Sequence, residues 1–182
     1  MKKDILYIDC FLAGDITGFE RLVQKYQDSA LNIVHSLIGR DGESEDIAQE
    51  AFLRVYRNLK GFNRNSSFST WFYRIVVNLT YDFLRKRRNI VLDENAVKES
   101  VSAQADPRQE MSLKEKRQVV QKALEGVPAK FRVALVLKDI EGLSYKDISR
   151  ILRCSIGTVE SKIYRARQCL RGVLNRLGGI VI

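Results

Sequence analysis

Residues 44–88 read SEDIAQEAFLRVYRNLKGFNRNSSFSTWFYRIVVNLTYDFLRKRR, and this stretch decides the fold. Ile47, Ala48, Ala51, Phe52, Val55 and Leu59 recur at three- and four-residue steps, the pattern of a helix with one buried face. Ser44 is expected to cap it, with Glu45 and Asp46 in the first turn, where the helix dipole favours acids. Gly61 ends it and a polar loop runs from Phe62 to Ser69. Ser69 or Thr70 then opens a second helix, buried through Phe72, Ile75, Val76, Leu79 and Phe83. That helix runs straight into Arg85, Lys86, Arg87 and Arg88. One helix offers carboxylates and the other offers Arg, Asn and aromatic groups, which points to two different partners, one of them a nucleic acid.

Working outward, Leu22, Val23, Tyr26, Ala30, Ile33, Val34 and Leu37 form another amphipathic stripe, broken at Gly39-Arg40-Asp41-Gly42. On the C-terminal side, Leu113, Val120 and Leu124 predict a helix ending near Gly126 and Pro128. Another runs from about Ala129 to Asp139, Glu141-Gly142 turns the chain, and two closely spaced helices follow at Tyr145–Leu152 and Ile156 to about Leu174. Between the two halves, residues 93–110 lose periodicity and carry more acids than bases. No strand pattern emerges. The expected fold is all-α: two small helical domains, 1–92 and 111–182, joined by a flexible acidic linker at 93–110.

The chain has 182 residues, 45% of them hydrophobic, enough for one sizeable core or two small ones. Its formal net charge of +9 is clustered, which favours a polyanionic partner. Arg74 joins the Arg85–Arg88 group, and Lys162, Arg165, Arg167, Arg171 and Arg176 form a second. Cys10, Cys154 and Cys169 lack CxxC spacing and only His35 could join them, so no disulfide framework, metal site or cofactor is expected. The opening MKKDILYIDCFLAG resembles a signal peptide until Asp4 and Asp9 interrupt it. No apolar run approaches membrane-spanning length, so a cytoplasmic chain with no membrane contact of its own is expected.

Three motifs carry function. Ser144 and Asp147 have capping-box spacing, and Arg153-Cys154-Ser155 makes a short turn, so the last two helices read as a helix-turn-helix. With Val159, Ile163, Ala166 and Leu170 buried, Thr158, Ser161, Lys162 and Arg165 share the opposite face, and Glu160 lies beside it. Short polar groups for base edges and cations for phosphates are what a recognition helix needs. An ordinary helical hairpin with a solvated basic face would read the same, although the basic run favours DNA.

In the second motif, Arg74, Asn78, Tyr81 and Arg85 share a helix face, and Trp71 sits at its boundary. Cations, amides and rings together suit melted single-stranded DNA. The alternative puts the aromatics in the core. That is the reading for Phe72, whereas Phe68 and Trp71 fit either. The third motif is the stripe Asp46, Gln49, Glu50 and Leu53, which resembles a docking surface, although a solvated face with one stray leucine is the commoner explanation.

In this order the motifs resemble the extracytoplasmic-function (ECF) sigma factors of the bacterial sigma-70 family. The strings that carry the resemblance are EDIAQEAFLRVYRNL, SSFSTWFYRIVVN followed by DFLRKRR, LKDIEGLSYKDIS and GTVESKIYRARQCL. The resemblance implies that Asp46, Gln49, Glu50 and Leu53 dock on the clamp coiled coil of core RNA polymerase. It implies that the promoter −10 element is melted and read by Arg64, Asn65, Ser66, Ser67, Phe68, Trp71, Arg74, Asn78, Tyr81 and Arg85, with a flipped base captured in the loop. The −35 element would be read as duplex by Thr158, Glu160, Ser161, Lys162, Arg165 and Arg167. An anti-sigma partner and a monomeric free chain are implied as well, and no enzymatic activity. A linker of about 18 residues reaches at most ~60 Å, against ~70 Å for two turns of DNA, and the domains add reach.

Departures from the family pattern fall at Arg64-Asn65, where Gly-Glu or Gly-Asp is common, at Ser149 for Ala, and at Arg153 for Gly. Two other classes compete. A dimeric helix-turn-helix repressor or activator leaves the SSFSTW loop and the acidic stripe unexplained. A DNA-cleaving enzyme using a loop serine lacks an accompanying base or metal cluster.

Overall fold

The computed structural model describes residues 2–39, 42–93, 119–120 and 122–176. The linker at 93–110, apart from Asp93, lies outside them, as do Leu113 of the helix predicted through Val120 and Leu124 and the tail 177–182. Among the described residues the helices include α1 (Lys2–Leu12), α2 (Thr17–Ile38), α3 (Gly42–Asn58), α4 (Phe68–Asp93), α5 (Ala129–Leu135), α6 (Tyr145–Leu152) and α7 (Ile156–Arg176), and residues 119–120 and 122–125 are helical as well. A short 3-10 turn, Leu59–Gly61, follows α3, and a π-helical turn, Val136–Ile140, extends α5. Among the described residues there is no strand, and no helix is long and apolar enough to cross a membrane.

Four helices build the N-terminal region. α1 crosses α2 so closely that a Cβ on Gly18 would lie 2.3 Å from the Tyr7 carbonyl oxygen, so only glycine fits there. Asp4 of α1 is buried, pairs with Lys25 and accepts a hydrogen bond from Tyr26 Oη at 3.1 Å. The core beneath is aromatic: Phe72 packs on Phe52 with ring centroids 4.8 Å apart, and Tyr26 contacts both Phe68 and Phe72.

Two helix starts differ from expectation. α3 begins at Gly42, so Ser44 is not its cap. Ser44 lies fully buried in the first turn and donates to the Gly39 carbonyl at 2.8 Å. α4 begins at Phe68, because Ser67 Oγ accepts from the Thr70 amide at 3.1 Å and acts as the cap. In the C-terminal region Ser144 caps α6: its Oγ accepts from the Asp147 amide at 3.1 Å and donates to Asp147 Oδ2 at 2.5 Å. Arg153 closes α6 in the left-handed conformation, φ 51° and ψ 48°, where glycine would be strain-free.

The two regions are packed together, which periodicity does not foretell. One continuous core runs from Val34, Phe72 and Val77 to Val133, Leu137, Ile148 and Ile163. At its edge Arg132, 8% exposed, donates to the carbonyls of Ser36 and Leu37 (both 3.1 Å) at the end of α2, and to those of Val127 (2.9 Å) and Glu125 (2.8 Å) in its own region. Helix ends leave such carbonyls without partners, so a buried guanidinium there satisfies several at once. Burial pulls its pKa below the ordinary arginine value, with Glu125 opposing.

Candidate nucleic-acid interface

The loop after α3 is held by local chemistry. Arg64 has φ 60°, a left-handed conformation that favours glycine. Its guanidinium reaches across to pair with Asp9 of α1, and the Asn65 amide donates to Asn63 Oδ1 at 3.1 Å. Asn63, Arg64 and Asn65 are exposed, while Ser66 and Ser67 are half-buried. Ser67 Oγ is 2.9 Å from Ser69 Oγ and 2.7 Å from Thr70 Oγ1, a hydroxyl cluster at the base of the loop. Phe68 is 1% exposed, so its ring belongs to the core and is withdrawn from the expected base pocket. Trp71 is half-buried, packed against the core with its ring 5.2 Å from that of Phe62.

Along α4, Asn78 is exposed, while Arg74 and Tyr81 are half-buried. Arg74 Nε is buried without a hydrogen-bond partner, the kind of orphan group that calls for an explanation. Arg85 pairs with Asp82 one turn away. Tyr81 Oη lies 3.5 Å from the Ala129 carbonyl, and burial pushes its phenol up to about 12. Asn78 and Tyr81 share a narrow cleft of about 160 Å³ with Leu152, Arg153 and Lys162 of the helix-turn-helix. The expected −10 face therefore looks onto the C-terminal region.

On α7, Ser155 caps the helix: its Oγ accepts from the Thr158 amide at 3.2 Å and lies 2.8 Å from Thr158 Oγ1. Ser161 Oγ donates back to the Gly157 carbonyl at 2.8 Å. Thr158, Glu160, Ser161 and Arg165 are exposed and Lys162 is half-buried. Arg167 differs from the rest: it grips Asp139 through two hydrogen bonds, 2.7 and 3.1 Å, and that bond raises its pKa. Its side chain is 51% exposed, so the guanidinium is paired with Asp139 at the surface. Sequence reasoning missed Tyr164, which is 65% exposed and borders the same surface as Glu160, Ser161 and Arg165. An aromatic three residues after Ser161 and off the buried stripe was the available signal.

On α3, Asp46 and Gln49 are exposed, Glu50 is half-buried and bonded to Arg54 at 2.9 Å, and Leu53 is 48% exposed. Tyr56, 47% exposed and three residues after Leu53, continues the stripe and leans on Phe11 and Phe19. Among the described residues no group of three or more His, Cys, Asp or Glu could hold a metal ion.

An all-α chain with a basic, ring-bearing helix on one region and a helix-turn-helix on the other is a DNA-binding protein in its broad class. Comparison with known proteins narrows this. The sigma-70 region 2 model matches residues 22–90, and the sigma-70, region 4 model matches residues 117–170. The RNA polymerase sigma-H factor of Pseudomonas aeruginosa is 36% identical over 97% of this chain and 96% of its own length. The ECF RNA polymerase sigma-E factor of Escherichia coli strain K12 is 35% identical over 92% of each chain. The sigma factor RpoE from Bartonella quintana, solved in complex with the anti-sigma factor NepR, superposes with a TM-score of 0.72 at 28% identity. That match covers 86% of this chain and 96% of the other. The chain belongs to the sigma-70 family of RNA polymerase sigma factors, in its ECF group.

Proposed function

We propose that the chain carries out its family's task, directing core RNA polymerase to a set of promoters, through three separate faces. The exposed stripe Asp46, Gln49 and Leu53, extended by Tyr56 and flanked by Glu50, docks on the polymerase. The loop at Asn65, Ser66 and Ser67, with Trp71, Arg74, Asn78 and Tyr81, melts and holds the −10 element; Arg64 shapes this loop through its bond to Asp9. The −35 duplex is read by Thr158, Glu160, Ser161, Lys162 and Arg165. The chain works as a binding subunit in the cytoplasm, without chemistry of its own.

The observation that carries this reading is the orphaned Arg74 Nε beside exposed Asn78 and half-buried Tyr81, on a helix whose opposite face is core. Arg74 Nε has no partner within the protein and the Asn78 amide is open to solvent, and phosphates and unstacked bases supply partners for both. Promoter elements two turns apart lie ~70 Å from each other. Asn78 and Lys162 border one cleft here, so the two regions separate when both elements are engaged. The packed form is the one a sequestering anti-sigma protein would hold.

Photocrosslinkers at Asn78 and at Ser161, in the polymerase-bound chain on promoter DNA, test this reading. The expected result is two crosslink sites about two helical turns apart, the Asn78 site in melted DNA. Crosslinks to a single site, or none from Asn78, would refute it.

A further inference from the structure

Phe131 stands outside the helix-turn-helix, yet the cations of the recognition helix gather on it. Its ring packs inward on the cluster of Leu124, Val127, Leu135 and Ala166. Near the ring lie Lys130 Nζ at 5.0 Å, Arg165 Cζ at 5.8 Å and Lys162 Nζ at 6.0 Å from the centroid. Lys162 Nζ also donates to the Lys130 carbonyl at 3.2 Å, which ties α7 to α5. Among the described residues, none of these three cations has a carboxylate within ion-pair distance. An open cleft of about 410 Å³ beside the ring is lined by Ser155, Thr158 and Ser161 together with Lys162 and Arg165. Three like charges around one aromatic ring repel each other. The ring's quadrupole offsets part of that repulsion, and an external polyanion offsets the rest.

We infer that Lys130 and Phe131 belong to the duplex-DNA surface. Phe131 is a positioning residue that holds Lys162 and Arg165 toward the phosphate backbone, and Lys130 adds a phosphate contact from α5. The inference rests on the reading that α7 engages the −35 duplex. A duplex carries one charge per about 1.7 Å of its axis, so a cation cluster flanking a recognition helix meets several phosphates. The cleft hydroxyls suit the same backbone, since much protein–DNA hydrogen bonding goes to phosphate oxygens.

The test uses the full chain and a fluorescein-labelled duplex that the wild-type chain enriches from a random pool, with binding followed across a salt series. Phe131→Leu keeps an apolar group on the core and removes the ring; it is expected to weaken binding about three- to tenfold. Phe131→Tyr keeps the ring and should restore near wild-type affinity. In a Lys162→Ala, Arg165→Ala background, Phe131→Leu should cost nothing further. Lys130→Gln, an exposed change that leaves the fold alone, should lower the slope of log K against log salt by about 0.9. Wild-type affinity and slope in both Phe131→Leu and Lys130→Gln would overturn the inference, as would Phe131→Tyr binding as poorly as Phe131→Leu. If those variants bind normally while Arg165→Ala loses the duplex, the −35 reading stands and this inference alone falls. If the wild-type chain enriches no duplex, both fall.

Discussion

Replacing Arg132 with Met tests how the two regions are held together. The guanidinium is 8% exposed and serves four carbonyls, two of them at Ser36 and Leu37 in the last turn of α2. Methionine fills similar volume and donates nothing. Each carbonyl left buried and unsatisfied costs about 1–3 kcal/mol, while water entering at the edge recovers part of that. Removing a charge from a low-dielectric site returns a little more. The expected net loss is about 3 kcal/mol, read as a shift of the urea midpoint of the full chain. Faster hydrogen exchange at the C-terminal turn of α2 should accompany it. Arg132→Lys keeps the charge but cannot fork across four acceptors, so about half the loss should remain. A loss below about 1 kcal/mol for Arg132→Met, with unchanged exchange in α2, would refute the argument that this guanidinium couples the regions.

Three further outcomes are expected. Asp46→Ala combined with Glu50→Ala should weaken assembly with core polymerase about tenfold while −35 duplex binding stays unchanged, since rim charges steer and align partners; a polymerase pull-down titration beside duplex anisotropy separates the two. Arg153→Gly relieves the left-handed arginine at φ 51° and should stabilise the chain by about 1 kcal/mol, a rise of roughly 2–4 °C in Tm by calorimetry. Tyr73 and Tyr81 are both pushed up from 10 to about 12, chiefly by burial. Because the folded phenols hold their protons longer than the unfolded ones, their contribution is complete below pH 10 and is lost as pH rises through about 12. Stability followed by circular dichroism should fall over that window, and Tyr81→Phe should shrink the fall.

The helix-turn-helix was legible almost to the residue, because local signals specify it. The Ser144 cap, the turn at Arg153-Cys154-Ser155 and the stripe Val159, Ile163, Ala166 all act within a few positions of each other. Ser44 and Phe68 misled for a shared reason. A serine before an apolar stripe looks like a cap whether or not the helix starts two residues earlier, and a phenylalanine in a polar loop fits a pocket as well as a core. Only the tertiary packing on Tyr26 and Phe72 decides Phe68. The contact between the regions had no signal at all. Arg132, Tyr81 and Thr70 resemble surface groups in one dimension, and their partners at Ser36, Ala129 and Asp147 lie far away in sequence. The Arg167–Asp139 pair was hidden in the same way, since a cation on a recognition helix is ordinarily read as meeting phosphate.

Run-off transcription tests the central claim most directly. Core RNA polymerase is combined with this chain on a pooled promoter library, and transcripts are compared with those from core alone. The account predicts discrete transcripts that depend on the chain, from templates sharing two sequence elements about two helical turns apart. Their loss in Asn78→Ala with Trp71→Ala, under conditions where the chain still binds polymerase, is predicted as well. The same transcripts with and without the chain, or none in either case, would contradict it.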